Sequence, residues 1–188
     1  RVHLLESSTG TAHLDVYIHG NLALNLAAGA QNDSSWALTN VRSADLFMDA
    51  NSTIFVRANE TTLTPANNIY MQGNLALNVA EGVTADSTTL TSQISLAPNA
   101  SGELEKTGAG SITLSGNLSA TNLKVSAGTL KLTGSENTVS GAFTIANGGT
   151  LHVAGTTMSS DSGRATINTG GTLLLGDNAT VSRNVGAL

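Results

Sequence analysis

Cysteine is absent from this chain of 188 residues, so no disulfide staples it. Small secreted domains with little core depend on such staples, whereas a long chain that must stay unfolded during export gains by having none. Aromatic residues make up 3%, so Leu, Val, Ile and Ala have to fill any core. Charged residues are 11%, well below the roughly 25% of an average globular chain. That scarcity is not a sign of disorder, which goes with high charge and few aliphatics, because 40% of the chain is hydrophobic. A net charge of −5 without any Lys/Arg cluster excludes nucleic acid as the expected partner. No run of 18 or more apolar residues exists, so no membrane-spanning helix is expected. Arg1 starts the chain without a signal-peptide pattern, which points to an excised segment of something longer.

What the chain does contain is repetition. GNLALNLAAG runs from Gly20 to Gly29, and GNLALNVAEG, identical at eight of ten positions, runs from Gly73 to Gly82. Leu22, Leu24 and Leu26 alternate with Ala23, Asn25 and Ala27, and the second copy does the same, which is the pattern of a strand buried on one face. A second repeat follows in TNLKVSAGTLKL, GAFTIANGGTLHV and GRATINTGGTLLL. Its turn glycines Gly128, Gly149 and Gly171 are almost evenly spaced, and Gly110 precedes the first at a slightly shorter interval. The inward candidates are Leu123, Val125, Leu130 and Leu132, then Phe143, Ile145, Leu151 and Val153, then Ile167, Leu173 and Leu175.

A unit this short cannot bury its apolar face alone, but stacked copies pair their backbones and share one core. The reading is an all-β solenoid, a parallel β-helix and a fragment of a longer rod. At about 21 residues per coil the chain makes roughly nine coils and a rod roughly 40 Å long. Residues 1–188 form one β-helix segment, with less regular coils over 1–100 and more regular ones over 101–188. Gly and Asn suit the tight corners between faces, and Pro65 and Pro98 both fall outside the strand patterns.

The stretch GELEKTGAGSITLSGNLSATNLKVSAGTLKLTG, Gly102 to Gly134, resembles the passenger-associated repeat of bacterial autotransporters. The match runs through Gly102, Leu104, Lys106, Gly108, Gly110, Ile112, Leu114 and Gly116, then Val125, Gly128, Thr129, Leu130, Leu132 and Gly134. It departs at Ser111, where Thr is usual, and lacks an Asn-Thr-Tyr turn after Gly116. SSWALTNVRSADLFMDANSTIFV, Ser34 to Val56, is similar to passenger sequence as well. The resemblance implies a right-handed parallel β-helix exported across the outer membrane of a Gram-negative bacterium by its own C-terminal barrel, which these residues do not include. It also implies a place on the cell surface without naming an activity, since adhesins, self-associating proteins and proteases share this scaffold.

Candidate chemistry is sparse. His13, Asp15, Tyr17 and His19 share one face of HLDVYIH, but the two histidines stand about 20 Å apart on an extended strand and cannot hold one ion. The segment reads as a solvated outer face. Asp161 to Gly163 spell the Asp-Ser-Gly of serine proteases, without that motif's flanking residues. Glu103 and Glu105 share a strand face, read as a hydrated surface pair, while Lys106 points the other way and no second coil supplies a matching acid. The six Asn-x-Ser/Thr sequons are close to chance in so Asn- and Ser-rich a chain. Sugar stacking needs exposed aromatics, and only Trp36, Tyr17 and Tyr70 offer themselves, with Trp36 expected in the core.

No catalytic residue, cofactor or metal is therefore expected. The favoured reading is an adhesive or self-associating surface rod, not an enzyme. Its partner is a host-cell surface or matrix component, or the same protein on neighbouring cells. Its candidate outward contact residues are Thr129, Lys131, Thr150, His152 and Thr172. The alternatives are a structural stalk that displays a domain located elsewhere and a polysaccharide-active enzyme.

Overall fold

The computed structural model describes residues 2–6, 14–25, 36–37, 45–59, 62–63, 65–160 and 164–183. Among them every regular element is a β-strand. The chain opens with β1 (Val2–Glu6), β2 (Leu14–Ile18), β3 (Leu22–Asn25) and β4 (Trp36–Ala37), and then β5 (Leu46–Met48) and β6 (Ser52–Val56). Three-sided coils follow. The first is β7 (Asn68–Met71), β8 (Leu75–Val79) and β9 (Thr89–Leu90), and the second β10 (Gln93–Leu96), β11 (Glu103–Thr107) and β12 (Ser111–Leu114). Then come β13 (Leu118–Ala120), β14 (Asn122–Val125) and β15 (Gly128–Leu132), followed by β16 (Glu136–Val139), β17 (Phe143–Ile145) and β18 (Gly149–Val153). The last strands are β19 (Thr157–Ser160), β20 (Ala165–Ile167), β21 (Thr172–Leu175) and β22 (Thr180–Arg183).

From β7 on, every third strand stacks on the same side, and the strands of the whole chain make three sheets along one axis. The first sheet runs β1-β2-β5-β7-β10-β13-β16-β19-β22, the second β4-β3-β6-β8-β11-β14-β17-β20, and the third β9-β12-β15-β18-β21. Pairing is parallel throughout except between β1 and β2. The fold is a parallel β-solenoid of about 6 turns. A uniform repeat with the spacing of Gly128, Gly149 and Gly171 overcounts them, at roughly nine. From β11 on, Leu104, Leu123 and Phe143 align in short and nearly equal steps along the chain. The steps from Leu22 to Ile54 and from Leu75 to Leu104 are much longer. The early coils spend their extra length on longer corners.

Alternation explains the packing. In β8, β6 and β18 buried and half-buried residues alternate strictly, so one face of each strand enters the core and the other meets solvent. Leu123, Val125, Leu130, Leu132, Phe143, Ile145, Leu151 and Val153 are all buried, as the repeat predicts. Each such side chain contributes about 1.5–3 kcal/mol by leaving water. Ile167 and Leu175 need a correction. They align with the buried Ile145 and Val153 yet are 50% and 56% exposed, because they belong to the last described coil and no described strand stacks beyond it. At the other end β1 and β4 lie along the outer edges of β2 and β3, so those edges find backbone partners.

The twin decapeptides occupy β3 and β8, two rungs apart in the second sheet with β6 between them. They are not in phase. Leu22 aligns with Ile54, and Ile54 with Leu77, so Leu75, the sequence counterpart of Leu22, sits beside Ser52. The slip of two residues leaves Leu22 on the inner face, whereas a slip of one would turn it out, and a bulge between Ala23 and Asn25 then shifts the register so that Asn25 aligns with Val56.

Candidate functional surfaces

The five candidate contact residues lie on the third sheet. Thr129, Thr150 and Thr172 stand in register on β15, β18 and β21, with Ser111 of β12 continuing the row. Lys131 and His152 form the adjacent row, which passes on to Leu174, 46% exposed. The Lys131 ammonium is 4.0 Å from the Asp86 carboxylate. Partial burial, and then the Lys131 charge, hold the His152 imidazole below its ordinary pKa.

On the second sheet Glu103 and Glu105 point outward, as their spacing predicts, but Glu105 has a partner that the sequence reading lacked. Lys124, one coil on, donates to it at 2.8 Å, and the Ser126 hydroxyl donates as well. These two hydrogen bonds hold the Glu105 carboxyl below the usual carboxylate range. Burial raises Glu103 above that range against the opposing pull of Lys124. Asn51, Asn74 and Ala76 complete a shallow pit beside them, of about 210 Å³. A single ion pair on an open face is a surface feature worth at most about 1 kcal/mol.

Lys106 lies on the same strand, turned inward and fully buried. Its three ammonium protons have three acceptors: the carbonyls of Thr107 and Gly108 at 2.8 Å each and that of Ala127 at 3.0 Å. All three are backbone oxygens, and burial pushes the amine down to about 8. The side chain ties the end of one coil to the corner of the next.

Asparagines fasten the other corners. Asn21 accepts from the Thr53 amide at 2.8 Å, Asn74 from the Glu103 amide at 2.9 Å and Asn117 from the Glu136 amide at 3.1 Å. Each follows a glycine and precedes a leucine, so the recurring Gly-Asn-Leu was the signal, present in both decapeptides and again at Gly116. Asn137 does this inside the core. It accepts from the Leu118 amide at 3.2 Å and donates to the Gly134 carbonyl at 3.1 Å and the Thr156 hydroxyl at 3.3 Å.

The first sheet carries the remaining surface. Tyr17, Phe47 and Tyr70 align on the outward side of β2, β5 and β7 and stack, with ring centroids 4.5 and 4.9 Å apart. Tyr17 is thus partly covered on a face read as simply solvated. The ring row was legible in Val16-Tyr17-Ile18, Leu46-Phe47-Met48 and Ile69-Tyr70-Met71, three aromatic residues each flanked by apolar ones. Beside it His19 meets Asp49 at 3.2 Å. His13, Asp161 to Gly163 and the side chain of Trp36 lie outside the described residues. Among the described residues no cluster of three His, Asp or Glu side chains is arranged to hold a metal ion. Nor does any helix there have the length and apolarity to cross a membrane.

Two overlapping stretches, residues 104–131 and 123–153, match one protein-family model. That model is the Passenger-associated-transport-repeat. The first match spans β11 to β15 and the second β14 to β18, so each covers about one coil and a half of the most regular part of the solenoid. This agrees with the resemblance to autotransporter passengers read from Gly102 to Gly134. Passenger repeats imply export to the cell surface. Neither a curated protein nor a solved structure gives a significant match to the chain.

Proposed function

We propose that this segment is a non-enzymatic part of an autotransporter passenger, displayed on the surface of a Gram-negative bacterium, that mediates adhesion or self-association. The observation that carries the reading is the in-register row Thr129–Thr150–Thr172 with Lys131–His152 beside it. Rungs about 4.8 Å apart repeat the same small polar groups along the rod. A partner with matching periodicity makes many weak hydrogen bonds in parallel, which gives avidity without a deep pocket. Few charges on these rows keep the cost of desolvation low when two surfaces meet. The partner is a host-cell or matrix component, or a copy of the protein on a neighbouring cell.

The test is to display wild type and the triple variant Thr129→Lys, Thr150→Lys, Thr172→Lys on cells. Settling rate and host-cell binding are measured at matched surface expression. Like charges stacked at rung spacing repel an approaching copy, so slower settling or weaker binding is expected. If settling and host-cell binding are both unchanged, these rows carry no adhesion and the segment is a stalk.

A further inference from the structure

The ring row on the first sheet borders an open depression of about 400 Å³, within the size range of small-ligand sites. Tyr17 and Phe47 form one side of it, Gln72 lies beside them, and the exposed corner at Pro98 and Asn99 rises at the far side. That corner is stiff. Pro98 fixes its own φ, and Asn99 sits in the left-handed region at φ 62°. Among the described residues no charged side chain lines the depression. Among the described charges beside the ring row, Asp49 meets His19 at 3.2 Å and Asp45 accepts from the Asn68 amide at 2.9 Å.

We propose that this depression is a binding site for an uncharged oligosaccharide. The width of the apolar surface argues for a sugar over a protein. The row is one side chain wide, bounded by the His19–Asp49 pair on one side and the Asp45–Asn68 pair on the other. The three rings extend roughly 9 Å along the rod, two rungs of the sheet. A stable protein interface needs about 800 Å² on each partner around an apolar centre, which so narrow a strip does not supply. A glycan chain is one ring wide. Its pyranose C–H surface packs on Pro98 and on the outward ring edges of Tyr17 and Phe47, whose facing sides are taken up by the stack, and its hydroxyls pair with the Gln72 and Asn99 amides and the Tyr17 phenol. The engaged carboxylates alongside disfavour a sulfated or sialylated chain. The site lies on a different sheet from the threonine rows and does not depend on their role.

The experiment applies the protein to an array of neutral glycans (glucans, chitin oligomers, galactosyl and N-acetylhexosamine oligosaccharides) beside sulfated and sialylated ones. Titration calorimetry on the strongest neutral ligand then compares wild type with Phe47→Ala, Gln72→Ala and Asn99→Gly, with circular dichroism verifying the strand signal of each. Losing a ring from the row is expected to weaken binding about tenfold. Asn99→Gly keeps the left-handed corner while removing the amide, so it reports on recognition without disturbing the turn. A neutral ligand whose affinity falls in Phe47→Ala and Asn99→Gly supports the site. Three results overturn it: no neutral glycan bound above background, a preference for anionic glycans, or equal affinity in all four proteins. Capture of a protein ligand through Phe47 without glycan binding overturns it too.

Discussion

Raising the pH from 7 to 10.5 should stabilise the coil that contains Lys106. The amine is fully buried and held at about 8, against 10.5 when free. In the unfolded chain it keeps its proton up to the ordinary value, so between these two pH values the unfolded state binds more protons than the folded one. Stability therefore rises with pH across this window, and the cost of burying the charge is present in full below pH 8. At about 1.4 kcal/mol per pH unit the full difference is about 3 kcal/mol. The three carbonyls that accept from the ammonium favour its charged form, which makes a gain of about 2 kcal/mol the expectation. Lys106→Met keeps an unbranched side chain of similar length and removes the titration. The assay is the urea midpoint by circular dichroism at pH 7, 8, 9 and 10.5 for both proteins, with amide exchange across residues 102–132 localising the effect. Wild type should gain on the variant over this range. Parallel curves would refute the argument, because Lys106 would then titrate alike in both states.

Two further substitutions separate the contributions of corner and core. Asn137→Ala leaves the Leu118 amide without its side-chain acceptor inside the core and the Gly134 carbonyl with the Thr156 hydroxyl alone, so a loss of about 1–3 kcal/mol in urea unfolding is expected. A loss below about 0.5 kcal/mol, the usual range for a surface change, would mean that the ladder satisfies those groups unaided. Gly128→Ala places a methyl 2.1 Å from the Gly110 carbonyl oxygen at a φ of 62°, whereas Gly148→Ala, at φ 80°, meets nothing within 4 Å. The first should cost about 2–4 kcal/mol and the second only the left-handed strain of about 1 kcal/mol; equal thermal shifts would contradict the close approach of the coils.

Much of the solenoid was legible because its period is short and its inner face is apolar. Leu130, Leu151 and Leu173 are visible as one column from their Thr-Leu context alone, and their alignment holds on β15, β18 and β21. Coil length was legible only where corners are tight. Between Leu75 and Leu104 the insertion at the corners has no periodic signature, which is why a uniform repeat overcounts the turns. The outward surfaces were harder still. Tyr17 and Tyr70 are far apart in the chain, and only the stacking of β2, β5 and β7 brings Phe47 between them. The Glu105–Lys124 pair arises in the same way, since the register of β11 on β14 sets Lys124 directly beside Glu105.

Sequence alone determined the kind of structure: strict alternation, glycine-marked corners and a recurring apolar column leave a stacked parallel solenoid as the way to bury each short strand. It determined which face of each strand turns inward, because a period of two admits only two choices and one of them exposes leucine. Register belonged to the tertiary structure. A two-residue slip keeps Leu22 inside, so the two decapeptides, nearly identical in sequence, pair out of phase once β6 is placed between them. That register decides which outward side chains become neighbours, because side chains on different coils meet only through the stacking of the rungs.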